Sequence, residues 1–155
     1  MRSGSDLRDG RRVERRYYVN ATPAGAWAAL HDPANEPALY PELALGPAET
    51  AWPAAGAIRL ARLRVGLLRE PVFLESLEAR PAASFRLRLV GADVRGELGW
   101  RFDAVAGGTR VVHDAALEPT DRFAALLVRI GRGSLADRVE DHLRALKIRA
   151  EASAR

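Results

Sequence analysis

The chain of 155 residues contains no cysteine and one lysine, Lys147, among its 24 basic residues. Without cysteine there are no disulfides and no thiolate metal sites, which agrees with a reducing compartment. No apolar run approaches the ~20 residues needed to cross a bilayer. The N-terminal stretch MRSGSDLRDGRRVERR lacks the apolar core of a signal peptide, and residues 1–11 read as a short flexible arm. A cytoplasmic protein with no stable membrane insertion is expected.

Lysine and arginine are missing altogether from positions 17–58, where Asp32, Glu36, Glu42 and Glu49 lie. The net charge of +4 comes from the arm and from arginines interleaved with acids further on. An arm of this kind binds phosphates only weakly and without sequence preference, so no specific nucleic-acid partner is implied. His31, His113 and His142 are scattered, with no HxxxH or HExxH spacing, so no metal site is expected. A GxSxG elbow is absent, and GRGS at 131–134 lacks the lysine of a phosphate loop and reads better as a helix break.

What is present is 48% hydrophobic sequence, enough for the core of one domain over residues 12–151. Val13, Arg15, Tyr17 and Val19 alternate with Glu14, Arg16 and Tyr18 in a first strand at 13–21. Thr22-Pro23 and Asp32-Pro33 then each supply a capping oxygen and a preset first-turn φ, predicting two short helices ending near Tyr40-Pro41. Further strands are expected near 46–52, 57–65, 70–79, 83–91, 94–104 and 109–117, joined by connections short enough to make the sheet antiparallel. The clearest has Val94, Gly96, Leu98, Trp100 and Phe102 on one face and Arg95, Glu97, Arg101 and Asp103 on the other. Phe85, Leu87 and Leu89 share the apolar parity on the preceding strand, as do Val111, His113 and Ala115 on the following one.

After Pro119 the period changes, with Phe123, Leu126, Leu127, Ile130, Leu135, Val139, Leu143, Leu146 and Ala150 recurring at three and four. This predicts a long C-terminal helix with one apolar stripe, interrupted at Gly131-Arg132-Gly133 and restarted by a capping box at Ser134 and Asp137. The expected fold is therefore α+β: a seven-stranded curved antiparallel sheet around a long C-terminal helix, with two short helices after the first strand.

The strand AIRLARLRV at 57–65 poses a problem. If Ile58 and Leu60 face the core, strict alternation sends Arg62 and Arg64 there too, and an unpaired buried guanidinium is very costly. A bulge near Ala61 would turn both arginines to solvent; otherwise the interior holds a partner for them, with Arg64 the better inward candidate.

The segments VNATPAGAWAALHDP (19–33), ALYPEL (38–43), GGTRVVH (107–113) and LRALKIRAE (143–151), in this order, resemble the START-like helix-grip superfamily. More narrowly, the chain over about 12–151 is similar to the polyketide cyclase/dehydrase and lipid-transport family. The resemblance implies a cavity between sheet and C-terminal helix that relatives use for sterols, lipids, polyketides or other apolar molecules. It implies no single activity and no cofactor, and no position here matches a catalytic motif of the family. The leading expectation is a binder of a hydrophobic or amphipathic small molecule. A cyclase or aromatase working in the same cavity is the alternative, and a domain with a filled core and no ligand is the third.

Candidate ligand-binding residues follow from the inward parities: Tyr17, Phe85, Leu87, Leu98, Trp100, Phe102 and His113 on strands, and Leu127 on the terminal helical segment. Arg64 would anchor a polar group. Tyr40 is placed as a gate because similar proteins admit ligands near the short helices. His113 has the chemistry of an acid or base near neutral pH, although a lone histidine at such a place is more often a satisfied core residue. Each apolar candidate serves equally well as packed core.

Overall fold

The computed structural model describes residues 12–129 and 134–155. The arm expected over residues 1–11 and the glycine break at 131–133 lie outside the described residues. Strand β1 (Arg12–Val19) leads into α1 (Pro23–His31), then a 3-10 turn (Pro33–Asn35) that runs into α2 (Glu36–Leu39). Strands β2 (Leu43–Leu45), β3 (Ile58–Val65), β4 (Leu68–Arg80), β5 (Ser84–Gly91), β6 (Val94–Val105) and β7 (Gly108–Pro119) follow, then α3 (Arg122–Arg129) and α4 (Leu135–Ser153). All seven strands form one sheet in the order β1-β7-β6-β5-β4-β3-β2, every neighbouring pair antiparallel.

The helix starts are set by the residues that predicted them. The Thr22 hydroxyl accepts from Gly25 N–H at 3.0 Å, and Asp32 Oδ1 accepts from Ala34 N–H at 2.9 Å, each beside a proline in the first turn. Ser134 and Asp137 complete a capping box on α4. This last helix packs on β1, β7 and the two short helices, burying Val139, His142, Leu143, Leu146 and Ala150. The apolar stripe expected to continue through α3 does not do so: Phe123 and Leu126 are exposed there, while Ala124, Leu127 and Val128 face the protein. The α3 end is fixed on the β3–β4 turn, where Leu67 N–H donates to the Leu127 carbonyl at 2.9 Å. Gly66 makes this approach possible, with φ +60° and a hypothetical Cβ only 2.3 Å from that carbonyl.

Two strand expectations need correction. The second strand is Leu43–Leu45 instead of 46–52. Pro47 and Pro53 lack the donors a ladder requires, and the intervening chain closes its hydrogen bonds in turns. In β3 the phase assumed from Ile58 and Leu60 is inverted: Arg59, Ala61, Leu63 and Val65 face inward and Ile58, Leu60, Arg62 and Arg64 outward, so Arg62 and Arg64 meet solvent as the bulge alternative had them. Its register with β4 runs without a bulge from Ile58↔Glu75 to Val65↔Leu68. The buried arginine is thus Arg59. Its fork donates to both Glu36 oxygens, at 2.5 and 2.9 Å, and its Nε donates to the Gly46 carbonyl at 2.8 Å. Paired and hydrogen-bonded in this way, a guanidinium is tolerated where an unpaired one is not.

Candidate functional site

The interior divides into three regions along the sheet. Beneath α1, Phe85 and Phe102 meet Trp27 edge-on at centroid distances of 6.3 and 6.1 Å, and Phe85 also meets Trp52 and His31. Burial among these rings lowers the His31 pKa to about 4. Ring packs against ring, as in an ordinary core.

The middle region is polar. His113 and Trp100 face each other across β6 and β7, their rings stacked at 3.7 Å. His113 Nδ1 is 2.6 Å from the Gly99 carbonyl, His113 Nε2 is 2.9 Å from His142 Nδ1, and His142 Nε2 is 2.5 Å from Glu42 Oε1. Trp100 Nε1 donates to the Tyr40 hydroxyl at 3.0 Å. Burial holds the Tyr40 phenol far above its ordinary range, hence neutral. His113, His142, Glu42 and Tyr40 are all buried.

Proton counting defines the state of this column. A carbonyl only accepts, so His113 Nδ1 carries a proton. Each of the next two links needs one proton between its atoms, making three in all. Two neutral imidazoles supply two, so the Glu42–His142 pair holds the third and the column is neutral overall. Burial first, then the neighbouring His142, pushes the His113 pKa well below its ordinary value. His113 is therefore the neutral Nδ1–H tautomer, His142 Nδ1–H donates to it, and the third proton lies between His142 Nε2 and Glu42.

Gly99 connects this column to the outer face. Its carbonyl accepts from His113, while a Cβ at its outer side would lie 2.3 Å from both Arg86 Nη1 and Asp114 Oδ1. Arg86 there pairs with Asp114 and Glu97, which Arg12 also contacts.

The third region holds open space. Between the sheet and α4, Leu63, Leu89, Leu98, Leu117 and Val139 with Glu42 and His142 line a space of about 40 Å³. A water needs roughly 10–15 Å³, so this hollow suits water or a small group and not a lipid. A larger groove of about 650 Å³ opens to solvent between α2 and the β2–β4 margin of the sheet. Pro37 and Tyr40 from α2 and its end, Leu43 from β2, and Arg62, Arg64 and Arg69 from β3 and β4 are among its lining. Glu42, Leu43 and Leu63 line both spaces and form the partition between them.

The ten candidates are thus distributed and not gathered in one cavity. Tyr40 and Arg64 line the groove, and Leu98 lines the hollow. Trp100 and His113 belong to the polar column, and Phe85 and Phe102 to the aromatic region. Leu87 is buried on the inner face of β5. Tyr17 sits at the seam with α4, its hydroxyl donating to Glu140, and Leu127 is half-buried on α3. Glu42 and His142 were missed. A signal for His142 was available, because it falls on the α4 stripe three residues after Val139 and four before Leu146. Among the described residues no cluster of histidine, cysteine or carboxylate side chains could hold a metal ion, and no helix is long and apolar enough to cross a membrane.

Fold and site together define a helix-grip protein: a curved sheet closed by a C-terminal helix, with a groove at the margin and a polar column inside. The chain belongs to the family described as polyketide cyclase / dehydrase and lipid transport, whose profile matches residues 11–151. No curated protein matches it. Among solved structures it is similar to TTHA0849 from Thermus thermophilus, with a TM-score of 0.70 and 22% identity over 93% of this chain and 99% of that one. It is also similar to the Zhui aromatase/cyclase from Streptomyces sp. R1128, with a TM-score of 0.70 and 15% identity over 94% and 96%. DR_A0006 from Deinococcus radiodurans aligns with a TM-score of 0.65 and 16% identity over 92% and 98%. At these identities the likeness is one of fold.

Proposed function

We propose that this chain binds a hydrophobic or amphipathic small molecule in the groove, its leading end against the Glu42–Leu43–Leu63 partition and the hollow behind it. One observation carries this reading. The groove's volume of about 650 Å³ falls in the roughly 300–1,000 Å³ range of small-molecule sites, and prolines, leucines and Tyr40 line it together with the acidic residues Glu36, Glu42 and Glu70 and three arginines. The space of about 40 Å³ between the sheet and α4 is too small for such a guest. Tyr40 then acts at the groove floor and Arg64 at its rim. The remaining inner-face candidates, from Tyr17 to Leu127, support the scaffold around it.

Titration with the neutral fluorescent probe phenylnaphthylamine tests the location. Ala44→Trp, at an exposed groove position, is expected to weaken binding about tenfold or more, the equivalent of about 1.4 kcal/mol, without changing thermal unfolding. Undiminished binding in that variant, or none by the wild-type chain, overturns the reading.

A second reading, a cyclase-type enzyme using the same site, is favoured by Glu42. It lines the groove and the hollow and terminates the column that holds the extra proton, so proton exchange with a bound carbonyl compound would pass through it. The family description and the aromatase/cyclase among its structural neighbours are compatible with this chemistry. Turnover of a polyketide-like carbonyl substrate, lost in Glu42→Gln while binding persists, would select it.

A further inference from the structure

The groove has one chemically distinct wall. Arg62 and Arg64 project from the outward face of β3, and Arg69 lies directly opposite Arg64 on β4. Like charges facing each other across an antiparallel pair are unfavourable. Arg12, Arg59, Arg86 and Arg88 all reach carboxylates. Arg62, Arg64 and Arg69 have no salt bridge to any described residue.

The carboxylates lining the same groove cannot supply one. Glu36 gives both oxygens to Arg59, and Glu42 is bonded to His142. Glu70 faces the other side of the sheet and accepts from Asp93 N–H through both oxygens, at 3.3 and 3.1 Å. The rest of the lining comes from the helical stretch 33–42 and the adjoining strand β2, which contain no lysine or arginine. Positive charge is therefore confined to β3 and β4 of a groove that Tyr40, Pro37 and Leu43 also line.

We infer that Arg62, Arg64 and Arg69 form an anion-binding rim, and that the groove selects amphipathic acids. The acidic group of the ligand, a carboxylate, sulfonate or phosphate, docks on the arginines, whose planar forks match such oxygens. The apolar body lies across the groove on Tyr40, Pro37 and Leu43. This rests on the groove being the ligand site, and it adds the ligand's charge and orientation.

Anilinonaphthalene sulfonate and phenylnaphthylamine share an aromatic body and differ by the sulfonate, which makes them a matched pair of probes. The wild-type chain is expected to bind the sulfonate about tenfold more tightly than the neutral probe at low salt, a difference of about 1.4 kcal/mol. That preference should shrink as salt is added. The exposed double variant Arg64→Gln/Arg69→Gln should bring the ratio of the two affinities close to one, with unchanged far-UV circular dichroism. Equal affinities in the wild-type chain, or a preference that survives the double substitution or high salt, overturn the inference. If the neutral probe binds in a way sensitive to Ala44→Trp but no anion preference exists, only the arginine rim fails. If neither probe binds, the groove reading falls and the rim with it.

Discussion

The His113 imidazole lies flat on the Trp100 indole, 3.7 Å between centroids and 10° between planes. The two residues are directly opposed on β6 and β7, so the sheet register creates the stack. One partner continues through its indole N–H to Tyr40, the other through its ring nitrogens to Gly99 and His142. The indole covers one face of the imidazole, and the column is sealed from water on that side.

Sealing predicts how His113 titrates. Nitrogen-15 NMR of histidine-labelled protein is expected to show His113 still as the neutral Nδ1–H tautomer at about pH 6.5, the ordinary histidine midpoint, because burial lowers its pKa well below that value. An imidazolium signal from His113 growing in near pH 6.5 would contradict the proton assignment.

Substitutions at the far end of the column test the same count differently. Glu42→Gln can turn its amide nitrogen toward His142 Nε2, leaving His142 Nδ1–H to donate to His113, so all three links survive with no extra proton. It should cost less than about 1 kcal/mol in urea unfolding. His142→Ala removes two links and strands the Glu42 carboxylate in the interior, at a cost of about 3–5 kcal/mol. Equal losses for the two variants would mean that the column is held by charge attraction and not by the three shared protons.

His31 should make the fold sensitive to acid. Burial takes its pKa to about 4 in the folded chain, below the roughly 6.5 of an unfolded histidine. Between those values the unfolded chain binds more protons, so unfolding free energy rises with pH there. The stability is fully present above pH 6.5 and is lost as pH falls toward 4, by at most about 3 kcal/mol from this residue. Its Nε2 is buried without a partner among the described residues, so the protonated ring finds no acceptor. His31→Phe keeps the contacts with Trp27 and Phe85 and should flatten the fall in urea midpoint between about pH 6.5 and 4. His113 leaves a residual slope of the same sign. An unchanged slope in His31→Phe would show that His31 does not titrate in this way.

Much of the architecture was legible because its signals are local. Thr22-Pro23, Asp32-Pro33 and the Ser134–Asp137 box each satisfy nearby backbone donors, and β5, β6 and β7 bury the parity their apolar residues mark. β3 defeated the same reasoning, since the first half of its outward face, Ile58 and Leu60, is also apolar. Leu60 and Phe73 stand opposite each other at 57% and 58% exposure, while the inward Arg59 is made tolerable by Glu36, 23 residues earlier. A partner supplied by another element leaves no periodic trace in the strand. The Glu42–His142 link is hidden for the same reason, as its members lie 100 residues apart. The size of any cavity between sheet and helix was not legible, because alternation reports which side chains face inward and not whether they meet.

Arg59 shows what such a remote partner contributes. Its guanidinium is 7% exposed and spans Glu36 and the Gly46 carbonyl at once, with Trp52 beneath at 5.7 Å. Arg59→Lys retains the charge but loses the planar fork, since one ammonium cannot reach all three oxygens. A loss of about 1–3 kcal/mol in urea unfolding is expected. Arg59→Met leaves Glu36, itself largely buried, without its partner and should cost more, about 3–5 kcal/mol. Adding Glu36→Gln to Arg59→Met removes the stranded charge and should recover part of that loss. A double variant no more stable than Arg59→Met would place the cost in packing against Trp52 and not in the unpaired carboxylate.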